Sequence, residues 1–114
     1  MTTVLLDSHV VHWWSAEPDR LSRAAAEAVD GADELAVASI SWFELAWLDG
    51  LSRQVRTIGT SPAIAVAAVS LPSSFPGDPA DRLIYATAVE HGWSLVTKDE
   101  RLRGHRSPRP ITIW

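Results

Sequence analysis

The sequence contains no cysteine, and only one methionine and one tyrosine among its 114 residues. Without thiols it can build neither a disulfide framework nor a thiolate metal site, and a reducing compartment suits it. Long apolar runs are also missing. The longest stretch of this kind, Ala63–Val69, falls far short of the roughly 20 residues that a bilayer-spanning helix needs. The first residues, Met1-Thr-Thr-Val-Leu-Leu-Asp7, lack the basic lead and cleavage site of a signal peptide. A cytoplasmic protein without a membrane partner is therefore expected. An excess of positive charge is missing too: the net charge is −4, which argues against broad adhesion to nucleic acid.

What is present is a 46% hydrophobic chain, sufficient for one compact domain over residues 1–114 with its own core. The charge is unevenly spread. Between Lys98 and Arg109 lie five basic residues and His105, against only Asp99 and Glu100. A locally basic tail beside upstream acids suits a polyanionic ligand, although a solvated basic tail reads equally well alone.

Short β-prone runs alternate with helical stretches. Thr3–Leu6, Leu35–Ala38, Val55–Ile58, Trp93–Thr97 and Ile111–Trp114 read as strands. Helices are expected over His9–Ala16, Ser22–Val29, Trp42–Leu48, Ser61–Ser70 and Asp78–His91, with a short turn at Asp99–Arg103. The most fully specified is Asp78–His91: Asp78 suits the N-cap, Pro79 the first turn, and Gly92 a left-handed stop. No repeat or low-complexity tract occurs. Alternating strands and helices predict an α/β sandwich around a mostly parallel sheet.

Acids recur where helices begin. Asp7 follows the first strand. Ser41-Trp-Phe-Glu44 and Thr97-Lys-Asp-Glu100 have capping-box spacing, and Asp78-Pro-Ala-Asp81 places Asp81 at the third helical position. Each acid singly is accounted for by the helix dipole, worth up to about 1 kcal/mol. Together they exceed that need if Ser41, Asp78 and Thr97 already cap their helices. In a parallel sheet such junctions share one edge, where open α/β folds place ligands. Carboxylates converging there raise one another's pKa, and a divalent cation relieves the repulsion. Oxygen ligands alone favour Mg²⁺ or Mn²⁺ over zinc. Such an ion suits phosphodiester hydrolysis.

The residues resemble a known family. Leu5-Leu-Asp7-Ser8, Ile40-Ser-Trp-Phe-Glu44-Leu-Ala46, Phe75-Pro-Gly-Asp-Pro-Ala-Asp81-Arg-Leu-Ile-Tyr-Ala-Thr-Ala88 and Leu95-Val-Thr97-Lys-Asp99 are similar to the motifs of PIN domains. The likeness is strongest to VapC-type toxin ribonucleases of type II toxin–antitoxin systems. The third segment is the most specific. The resemblance implies a three-layer α/β/α sandwich and Mg²⁺- or Mn²⁺-dependent endonucleolytic cleavage of RNA. It carries the catalytic, metal-holding quartet onto Asp7, Glu44, Asp81 and Asp99, with Ser8 and Thr97 as supporting hydroxyls. Asp78, acidic in many relatives, reads mainly as a cap. A cognate VapB-type antitoxin and a homodimer or toxin–antitoxin hetero-oligomer are the implied protein partners.

Lys98, Arg101, Arg103 and Arg106 are candidate contacts to the RNA backbone, and Arg82 is expected to pair with an acid. One of the adjacent Trp13 and Trp14 is expected at an interface, because a single helix cannot turn both inward. Only about ten residues join Ala46 to Val55, shorter than the family pattern, which suggests a junction near Ala46/Trp47. Two rival readings remain. One is a catalytically silent PIN-fold module that binds RNA or protein. The other is an α/β phosphatase with Asp7 as nucleophile, for which His9 stands where a second acid belongs.

Overall fold

The computed structural model describes residues 1–42, 55–106 and 109–114. Five strands form one parallel sheet in the order β3-β2-β1-β4-β5. They are β1 (Thr3–Leu6), β2 (Glu34–Ala38), β3 (Arg56–Ile58), β4 (Ser94–Val96) and β5 (Thr112–Ile113). The helices are α1 (Ser8–Ala16), α2 (Arg23–Gly31), α3 (Pro62–Val69), α4 (Pro79–His91) and the short α5 (Glu100–Arg103). All described strands pair in parallel, so the expectation of a mostly parallel sheet is met in full.

Period-two alternation divides the core into two faces. Leu5, Ala36, Ala38 and Leu95 enter one cluster with Ile64 and Ala68 of α3 and Ile84–Ala88 of α4. Val4, Leu6, Val37 and Val96 enter the other with Val10 and Val11 of α1 and Ala25 and Val29 of α2. Helices thus cover both faces, the arrangement an all-parallel sheet requires. The result is the three-layer α/β/α sandwich.

Local signals set the helix ends. Ser22 and Ser61 accept from the third backbone N–H of α2 and α3. Asp78 Oδ1 accepts from Ala80 N and Asp81 N at the start of α4, and Gly92 ends that helix at φ +70°. Strand order decides where the site falls. The chain runs outward from β1 to β2 and β3, then crosses to the far side of β1 for β4 and β5. That reversal opens a crevice beyond the carboxyl ends of β1 and β4, the usual ligand position in such folds. Among the described residues no helix is long and apolar enough to cross a membrane.

Candidate active site at the β1–β4 crevice

Leu6 and Val96 are register partners at the ends of β1 and β4. The chain continues the pairing one step further, with Asp7 N donating to Val96 O at 3.0 Å. Asp7 and Thr97 therefore leave the sheet side by side. Thr97 Oγ1 donates to Asp7 Oδ2 at 2.6 Å, and Ser8 N donates to Asp7 Oδ1 at 2.8 Å. Asp7 is 7% exposed and Thr97 fully buried. A carboxylate desolvated to that degree keeps its charge only where donors compensate it. Here the two donors also fix its orientation.

Thr97 does more than was expected of a cap. Its oxygen also accepts from Asp99 N at 3.1 Å, so one hydroxyl joins the Asp7 carboxylate to the turn that carries Asp99. The cap of α5 is Asp99 itself, whose Oδ1 accepts from Arg101 N at 2.9 Å. Ser41 likewise departs from the capping-box expectation. It is already helical, and its fully buried hydroxyl accepts from Ser8 Oγ at 3.1 Å. Since Asp7 and Asp99 are caps, their number no longer argues for a ligand. The position and electrostatics of the acids carry that argument instead.

Asp81 is the acid without a capping duty. Its pKa is raised from 3.8 to about 6, first by burial and then by the nearby charges of Asp78, Asp7 and Asp99, with Arg101 opposing. Asp99 moves the other way, held below its ordinary value by its hydrogen bond from the Arg101 side chain. Arg101 ties the two together. Its Nη2 lies 3.1 Å from Asp81 Oδ2 and 2.7 Å from Asp99 Oδ2, and its Nε donates to Asp99 Oδ1 at 3.2 Å. Arg101, a candidate contact to the RNA backbone, thus has its guanidinium engaged by two of the acids. The reason is reach, because the first turn of α5 starts at Asp99 and points Arg101 back across it.

Glu44, the remaining member of the expected quartet, lies outside the described residues, as do Trp47 and the Ala46/Trp47 junction. Among the described residues no three His, Cys, Asp or Glu side chains stand close enough to hold a metal ion. The donor set nevertheless suits a hard cation. It is oxygen-only, burial and then the neighbouring carboxylates raise the pKa of Asp81, and one cationic nitrogen already bridges two of its carboxylates.

The crevice opens into a cleft of about 390 Å³ lined by Asp7, His9, Trp13, Lys98, Asp99 and Arg103 among others. Lys98 Nζ stands 5.6 Å from the centre of the Trp13 ring. Arg103 also borders a second hollow with Arg106, Gly104 and Trp114. Lys98 and Arg103 thus flank Asp7 and Asp99, while Arg106 borders the neighbouring hollow. Trp13 is buried against Trp114, with ring centres 5.7 Å apart, and the half-buried Trp14 packs on the α1/α2 core. His105 is no part of a solvated tail; its ring sits 5.0 Å from Phe75 and 5.3 Å from Tyr85.

Arg82 corrects another expectation. Among the described residues it pairs with no acid. Its guanidinium donates to five backbone carbonyls, of Ala68, Leu71, Pro72, Phe75 and Pro76, at 2.9–3.3 Å. It therefore gathers the whole connection from α3 to α4 onto the residue beside Asp81. The apolar end of α3 and the loop Leu71-Pro-Ser-Ser-Phe-Pro offer many carbonyls and no charged side chain, a feature visible in the sequence.

Comparison with known proteins gives a consistent result. The sequence matches the PIN domain over residues 4–106. It is 65% identical to "Ribonuclease VapC22" of Mycobacterium tuberculosis (strain ATCC 25618 / H37Rv), covering 100% of both chains. That alignment runs over 130 positions against 114 residues here, so 16 positions have no counterpart in this chain. Among solved structures, the fold is similar to VapBC2 from Rickettsia felis bound to a promoter DNA fragment, at TM-score 0.69, 16% identity and 97% coverage of each chain. It is also similar to VapBC-1 from nontypeable Haemophilus influenzae, at TM-score 0.68 and 15% identity, covering 88% of this chain and 89% of that one. A toxin–antitoxin complex from Klebsiella pneumoniae gives TM-score 0.67 at 21% identity, with 84% and 86% covered.

Proposed function

The chain belongs to the PIN domain family, and from that premise we propose that it is a toxin-type endoribonuclease that hydrolyses RNA phosphodiesters with a divalent cation. The observation that carries the reading is the meeting of acids at the β1–β4 switch point. Asp7 leaves β1, Asp99 follows β4 and Asp81 opens α4, and the three share one electrostatic field. The 65% identity to a protein named as a ribonuclease supports the same activity here.

In this reading Asp7, Asp81 and Asp99, with Glu44, hold Mg²⁺ or Mn²⁺. The ion supplies Lewis acidity and offsets the charge gathering on the phosphorus. Thr97 fixes the direction of the Asp7 carboxylate and the height of the Asp99 turn. Ser8 and Ser41 tie the start of α1 to the segment leading towards Glu44. Asp78 caps α4 and so sets Asp81 in place. Lys98 and Arg103 offer exposed cations along the cleft, and Arg106 one at the neighbouring hollow, suited to phosphates of the RNA backbone beyond the scissile bond. A cognate antitoxin and assembly as a homodimer or toxin–antitoxin hetero-oligomer belong to the same proposal, supported by the solved complexes that share the fold.

The test is direct. Purified protein should cut RNA in the presence of Mg²⁺ or Mn²⁺ and leave 5′-phosphate ends. EDTA should stop the reaction, and Asp7→Asn should abolish it while the circular dichroism spectrum stays unchanged. Cleavage by Asp7→Asn at the wild-type rate would refute the assignment.

A further inference from the structure

Arg101 has a geometry that phosphate binding does not explain. One nitrogen, Nη2, stands between Asp81 and Asp99 at 3.1 and 2.7 Å, and Nε makes a further bond to Asp99 at 3.2 Å. The residue is anchored locally, since its own backbone N–H is held by Asp99. Yet the Arg101 side chain is 62% exposed, against 17% for Asp81 and 24% for Asp99. A guanidinium that reaches from solvent into a pair of recessed carboxylates can leave again by rotating about its side-chain torsions, with no backbone movement. Its charge is what the site needs most. It is the cation that stands against both carboxylates.

We propose that Arg101 is a displaceable internal counter-ion, which bridges Asp81 and Asp99 in the metal-free protein and competes with the divalent cation for them. The inference rests on the metal-site reading given above and extends it to a residue that holds no metal. A cation bonded to both carboxylates would need oxygen distances near 2.1 Å, shorter than the guanidinium's. A divalent cation held by these carboxylates would set like charge against the guanidinium that now bridges them, so the two compete. Metal binding releases the arginine towards the cleft. Until then, the guanidinium keeps the two acids facing each other and lowers the apparent metal affinity.

Isothermal titration of the full chain with Mn²⁺, without RNA, reads this competition. Exposed ion pairs are individually weak, so losing two of them should tighten Mn²⁺ binding by roughly fivefold in Arg101→Gln. Arg101→Lys, which keeps the charge, should stay closer to wild type. In an NMR titration with diamagnetic Mg²⁺, the Arg101 Nε–H signal, protected in the metal-free protein, should move to the position and exchange rate of a solvated arginine. Unchanged or weaker Mn²⁺ binding by Arg101→Gln would overturn the proposal, as would an Nε–H signal indifferent to Mg²⁺. Asp81→Asn separates the two ways of failing. If it loses Mn²⁺ affinity while Arg101→Gln does not change, the counter-ion role alone is wrong. If neither variant changes affinity, the metal-site reading fails with it.

Discussion

At the scale of single residues, the site depends on a hydroxyl as much as on its acids. Thr97 is fully buried, donates to a nearly buried carboxylate and accepts from the Asp99 amide. Thr97→Val keeps the shape and removes both bonds, leaving Asp7 with one donor fewer. A loss of about 2 kcal/mol in urea-unfolding stability is expected, because hydrogen bonds to charged groups are worth more than neutral ones. Thr97→Ser should recover most of it. The pH behaviour of Asp81 follows from its raised pKa, about 6 against an ordinary 3.8. Between those values the folded state keeps a proton that the unfolded chain has released, so stability falls as pH rises through this window. Metal-free Asp81→Asn should therefore be more stable than wild type at pH 8, by about 1 kcal/mol after solvent screening. The difference should vanish below pH 3.8, and chemical denaturation at the two pH values checks it. In the same reading, RNA cleavage should rise as pH passes through about 6, when Asp81 ionises.

At the scale of elements, the α3–α4 connection and the start of α4 depend on Arg82. Arg82→Ala strands up to five carbonyls that it now satisfies, and should cost about 3 kcal/mol or more in thermal or urea unfolding. Arg82→Lys should restore only part, since an ammonium cannot fork across several acceptors. At the other end of α4, Gly92→Ala meets φ +70° and should cost roughly 1 kcal/mol by the same measurement.

These elements also show how far the sequence could be read. Strands, the Asp78 cap and the Gly92 stop were legible because each is a local signal, expressed within four or five residues. The contacts of Arg82, Ser41 and Arg101 were not. They depend on which carbonyl, hydroxyl or carboxylate the fold brings near from 6 to 33 residues away or from across a short turn, and no periodicity encodes that. Thr97 was recognised as a supporting hydroxyl from family likeness. Its bond to Asp7, 90 residues distant in the chain, only the folded sheet reveals.

At the scale of the whole molecule, strand order is what turns scattered acids into a site. Because β4 lies against β1 rather than beyond β3, the residues after β1 and β4 become neighbours, and the start of α4 faces them across the crevice. The α/β class followed from alternating strands and helices; the reversal point came from the structure. Two apolar clusters clamp the sheet from either side. The central claim is that Asp7, Asp81 and Asp99 belong to one cation site. Anomalous diffraction from crystals of the full chain grown with Mn²⁺ tests it most directly. A manganese peak coordinated by carboxylate oxygens of all three residues, directly or through water, is the predicted result. A peak elsewhere on the molecule, with these three acids left uncoordinated, would contradict it.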